Sequence, residues 1–199
     1  MSQQQRPSTA QSRSTTASVA ASAGIGVFAG AIGYLLTYVL VGSEVSAEFG
    51  DGVADWKGVA WYYYNAHMVD IEVSGAVGSI GGSSTVDFIA QSGSTSATLL
   101  YALPPIVLLG AGALLATQWD VTDIGDAVIA GAPVTIGYAA VMGLGAIVAE
   151  SSAERSLFGV ETSGSIAPEL LGAIVLGGLL YPLVFATGGA VLAAVRNSR

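Results

Sequence analysis

From Ser18 to Val41 the chain runs for 24 residues without one charged side chain. As a helix rising about 1.5 Å per residue, that run covers about 36 Å, enough to cross a hydrocarbon core ~30 Å thick. Three blocks of the same kind follow, at about 98–117, 124–149 and 168–195, and their only charges are Asp126 and Glu169 near the starts. A water-soluble surface cannot cover four such blocks, so the expected fold is an all-α membrane protein with four transmembrane helices. Composition agrees: 52% of residues are hydrophobic and 10% charged, with a mean hydropathy of +0.66, where soluble domains carry about 25% charged residues.

What is missing narrows the chemistry. There is no cysteine, which removes disulfides, thiolate metal sites and cysteine nucleophiles together. The one histidine, His67, cannot build a multi-histidine metal or haem site alone. No cofactor is expected. No G-x-S-x-G, H-E-x-x-H or P-loop pattern is present, and the middles of the apolar blocks hold no ionisable group of the kind that proton pumps and ion-coupled transporters keep there. A net charge of −8 argues against nucleic acid, whose phosphates call for basic patches. The acidic excess, a single lysine and abundant Ala, Gly, Val, Ser and Thr fit a halophile, for which net charge is a solubility device.

Topology follows from the basic residues. With the N-terminus inside, Arg6, Arg13, Arg196 and Arg199 lie on the cytoplasmic side, and Lys57 and Arg155 outside. Eleven acidic residues then face outward and Asp120, Asp123 and Asp126 inward. Residues 1–17 are polar and aperiodic and read as a disordered cytoplasmic tail. The block after them is too long for the apolar core of a signal peptide, although Ser46–Ala47 resembles a cleavage site. Domain organisation is thus one four-helix membrane domain over 18–199, carrying an external loop at 42–97.

That loop is the only sizeable part expected outside the membrane. Trp56, Ala60, Tyr63, Tyr64 and His67 recur at helical spacing. Val69, Ile71 and Val73 then alternate with polar residues, GAVGSIGGSS reads as a turn region, and STVDFIA reads as a second strand. The expectation is a short helix plus a β-hairpin. The second external loop, about 150–167, is acidic and weakly patterned.

Two groups of residues are candidates for an interface. Gly26 with Gly30, and Ala173 with Gly177, are small-x-x-x-small pairs that let helix backbones approach, either within the bundle or between copies. Trp56, Trp61, Tyr62, Tyr63 and Tyr64 form the densest aromatic cluster, expected to lie in the outer membrane interface or to serve as a partner platform. His67 ends that cluster; it reads as a structural residue, or, paired with Asp70 or Asp55, as a general base. Pro104, Pro105, Pro133 and Pro182 fall in three of the four blocks and predict kinks. A transport path would require polar groups to converge near Thr135, Tyr138 and Thr187.

The segment WKGVAWYYYNAHMVDIEV (residues 56–73) resembles an uncharacterised family of small haloarchaeal polytopic membrane proteins. Its members share an apolar first helix, a W-K-x-x-x-W-x-x-Y-N-A-H-like external segment and three further helices, and some carry a transporter label. The resemblance implies a halophilic archaeal cell membrane and brings no substrate or catalytic residue. The functional expectation is a non-enzymatic membrane scaffold or accessory subunit, with a membrane-protein partner or a homo-oligomer embedded in the lipid bilayer. The alternative is a small-solute transporter or channel acting as an oligomer.

Overall fold

The computed structural model describes residues 9–157 and 160–199. Helix α1 spans Thr9–Phe49. It takes in residues 9–17, which sequence reasoning had given to a disordered tail; the rest of that tail lies outside the described residues. No Pro or Gly stands between Pro7 and Gly24 to break the helix. A 3-10 turn, Gly50–Gly52, leads to α2, Asp55–Asn65, and then to strands β1, Ile71–Val77, and β2, Ile80–Val86. Two short helices, α3 (Phe88–Ser92) and α4 (Thr95–Leu99), precede α5, Leu103–Gln118. Next come α6 (Ile124–Gly131), α7 (Val134–Val148), β3 (Ser151–Leu157) and β4 (Val160–Pro168). The chain closes with α8 (Leu170–Gly172), a π-helical stretch Ala173–Leu180, and α9 (Tyr181–Asn197).

Among the described residues, four continuous helical segments are long and apolar enough to cross a membrane: Thr16–Phe49, Thr95–Gln118, Ile124–Val148 and Leu170–Asn197. They contain the four expected blocks to within two residues at their ends, with Ala149 falling just past one helix and Pro168 in strand β4. The prolines sit at seams rather than mid-helix. Pro104 and Pro105 occupy the first turn of α5, where a missing N–H costs little. Pro133 separates α6 from α7. The π stretch lies just ahead of Pro182, which offers no N–H to the carbonyl four residues back. In the bundle α1 packs on α7, α5 and α6 on α9, and α7 on the π stretch.

The strands form one antiparallel sheet of order β2-β1-β4-β3, so the two loops on one end of the bundle build it jointly. Val73 pairs with Ser84 on one side and with Ile166 on the other. The expected hairpin is present but placed differently. Its turn is Gly78–Ser79, with Gly78 at φ +59°, the glycine-first pattern of a tight two-residue loop. That turn lies inside the glycine-rich run read as turn; the rest of the run is strand, because cross-strand partners on both sides of β1 outweigh the weak propensity of Gly and Ser. Asp87 ends the second strand early: its carboxylate accepts the Ala90 N–H and starts α3.

Candidate functional site: a buried aromatic and histidine chain

Helix α2 is the centre of the molecule. Eight of its residues, Gly58 through Asn65, are buried, against the expectation that it lies in the outer interface with one face in lipid headgroups. Only Trp56, 42% exposed, stays on the outside of the cluster. Four successive rings cannot share one helical face, so their burial requires neighbours all round. Those neighbours are α1, α7, α3 and the sheet.

Each ring sends its polar atom to a different acceptor. Trp61 Nε1 donates to the Ala149 carbonyl at the end of α7, at 3.0 Å. The Tyr62 hydroxyl donates to the Glu48 carboxylate at 2.7 Å. Tyr63 reaches the Gly30 carbonyl of α1 at 3.2 Å, and the Tyr64 hydroxyl the Met142 carbonyl of α7 at 2.6 Å. Helix carbonyls keep a second lone pair after their own helix bond, so these contacts bolt α2 to both neighbours. Stacking adds to it: Trp61 and Tyr62 both lie nearly parallel to the Phe88 ring at 5.9 Å between centroids.

His67 follows in the turn after α2, fully buried. Its Nδ1 lies 2.7 Å from the Tyr63 carbonyl and its Nε2 2.7 Å from the Tyr138 hydroxyl. A carbonyl only accepts, so Nδ1 carries the proton and Nε2 accepts from Tyr138. The Tyr63 hydroxyl, 2.8 Å from that of Tyr138, extends the chain towards Gly30. Neither Asp70 nor Asp55 takes part, so the pairing required of a general base is not made. Burial pushes the His67 imidazole down to about 4, against a smaller opposing effect of the Tyr63 carbonyl. The arrangement holds a neutral imidazole. A proton on Nε2 would be accepted only if Tyr138 and Tyr63 both turned, with Tyr63 then donating to Gly30. Among the described residues no three His, Cys, Asp or Glu side chains group to hold a metal.

The small residues face the chain's own interior. A Cβ on Gly26 would fall on the Val134 carbonyl of α7, one on Gly30 would press Val141, and one on Gly177 would meet the Met142 methyl and stand 3.6 Å from His67 Cβ. Ala173 is fully buried. The tightest approaches lie at glycines that sequence reasoning passed over: Gly137 against the Ala23 carbonyl, Gly112 against that of Ala186, and Gly189 against that of Leu109. Asn65 was also passed over, although a lone amide inside an aromatic run was the visible signal. It is 1% exposed; its Nδ2 donates to the Val69 carbonyl, and its Oδ1 accepts the Phe88 N–H at 2.9 Å.

No curated protein and no solved structure matches this chain. A family profile does, over residues 1–197, and with nearly the whole length covered the chain belongs to that family, described as a family of unknown function (DUF7978).

Proposed function

We propose that the chain is a multi-pass protein of a halophilic archaeal cell membrane, both termini cytoplasmic, that serves as a non-enzymatic scaffold or accessory subunit. Membrane insertion is supported by large apolar side chains left bare on the outside of the bundle, among them Phe28 at 67% exposed and Val39 at 81%. Arginines at both ends of the chain, against an acidic opposite side, support the orientation.

The observation that carries the scaffold reading is the sheet. Among the described residues neither of its edges, β2 and β3, is paired with a further strand, and β2 is exposed from Ile80 through Thr85. It carries no charge and no proline, the usual guards of an open edge. Such an edge can take an extended strand of a partner subunit. Gentle extraction at high salt, then size-exclusion with mass spectrometry, tests the reading. A stoichiometric partner that is lost in Ile80→Lys, with the chain itself still monodisperse, is the expected result. A clean homo-oligomer with no partner overturns it.

One observation favours the transporter or channel alternative. The hydroxyls of Thr135 and Thr187 are buried with no hydrogen-bond partner. Solute flux in liposomes that responds to Thr135→Val and Thr187→Val would carry that reading.

A further inference from the structure

A groove of about 230 Å³ lies between α1, α2 and α7. Its walls include Tyr34 from α1, Trp56, Ala60 and Tyr64 from α2, and Gly145 and Val148 from α7. Although three of these are tyrosine or tryptophan, the groove is hydrocarbon in character. The Tyr34 hydroxyl is spent on the Trp56 carbonyl and the Tyr64 hydroxyl on that of Met142, leaving an occupant ring faces and methyl groups. It is narrower than the roughly 300–1,000 Å³ of a drug-sized pocket and suits a single extended chain.

One end of the groove is charged. Lys57, the only lysine in the sequence, lies 5.5 Å from the centre of the Trp56 ring, and its Nζ donates to the Glu150 carbonyl two residues beyond Val148. Among the described residues no ion pair to Lys57 is formed. Asp55, two positions back, stands about 200° round the helix from it. So an apolar slot on the side of the bundle ends in an uncompensated ammonium with an amphipathic ring beside it.

We propose that this groove binds one hydrocarbon chain of an anionic membrane lipid, with the phosphate at Lys57. The site rests on the membrane reading above, which puts the slot between two spans and in contact with lipid. It is independent of whether the sheet recruits a partner.

The test is lipid retention. Protein extracted in non-ionic detergent is washed free of bulk lipid, then titrated with phosphatidylglycerol or phosphatidylcholine and examined by native mass spectrometry. The wild type is expected to take one lipid per chain and to prefer phosphatidylglycerol about five-fold, as one lysine near a lipid surface gives. Lys57→Gln is expected to remove the preference and keep the binding. Val148→Trp, at an exposed position, is expected to lower occupancy by both lipids. Equal affinity for the two lipids in the wild type, or unchanged retention in Val148→Trp, would overturn the proposal. Recovery of the chain without detergent would overturn the membrane reading and the site together, whereas detergent-dependent extraction with no retained lipid would overturn the site alone.

Discussion

The imidazole Nε2 of His67 and the hydroxyl of Tyr138 lie 2.7 Å apart, although 71 positions separate them in the chain. This contact joins the turn after α2 to the middle of α7. Tyr138 donates to Nε2 and accepts from the Tyr63 hydroxyl, so its loss is felt twice. Tyr138→Phe keeps the ring but strips Nε2 of its donor and Tyr63 of its neighbour. The expected cost is about 1–3 kcal/mol, the range for buried polar groups left unpaired. Tyr34→Phe, which removes only an exposed bond to the Trp56 carbonyl, should cost less. Thermal unfolding of both variants in detergent checks the order, and equal losses would contradict it.

The same histidine sets a pH dependence. Its folded pKa is lowered to about 4 from an ordinary 6.5. The unfolded chain therefore binds more protons between those values, and stability falls as the pH is lowered through that window. Above about pH 6.5 the contribution is fully present; by pH 4 it is gone. The span of the shift corresponds to about 3 kcal/mol. Denaturation followed from pH 7 to pH 4 should show this decline, and His67→Gln, which retains a donor and an acceptor, should flatten it. An unchanged slope in the variant would assign the effect to the carboxylates instead.

The long apolar helices were legible because apolar runs of this length with almost no charge have few other readings, and the four expected blocks fall inside them to within two residues at their ends. What escaped the sequence was everything decided by tertiary contact. Of Ile80–Val86 only Ser84–Val86 lies in a run that read as strand; the Gly/Ser-rich residues before it have no strand signature, and β1 imposes it, just as β4 orders the weakly patterned second loop. The aromatic spacing of α2 read as an amphipathic surface helix, since Trp56, Ala60, Tyr63 and Tyr64 do share a face. Trp61 and Tyr62 are on the other side, and that side is covered by Phe49 and Phe88. No local pattern announces that cover.

The glycines of the bundle separate into those that touch and those that do not. Gly112 and Gly110 lie one short step apart on α5. A Cβ at Gly112 would fall on the Ala186 carbonyl, whereas one at Gly110 meets nothing within 4 Å. Gly112→Ala should therefore push α5 off α9 and cost about 1–3 kcal/mol, as overpacking does. Gly110→Ala should leave stability unchanged or slightly raised. The midpoints of thermal unfolding for the pair give the answer directly, and matching midpoints would remove the argument for close approach.

Asn65 ties the end of α2 to both ends of the first hairpin. Its amide nitrogen faces the carbonyls of Val69 and Val86, and its oxygen holds the Phe88 N–H. No other uncharged polar side chain of this size offers donors and an acceptor in that order except by reaching further. Asn65→Asp replaces the donor with an oxygen aimed at two carbonyls in a buried position. Repulsion adds there to the lost bonds, so it should cost more than Asn65→Leu, which leaves the Phe88 N–H unpaired and takes the amide donor from the two carbonyls without setting an oxygen against them. The loss should be local, because the long apolar helices keep their own contacts. Limited proteolysis reads it: cleavage within residues 71–86 should quicken most in Asn65→Asp, with the helical segments still protected. Identical digestion of the two variants would mean that the hairpin is held by its strand pairing alone.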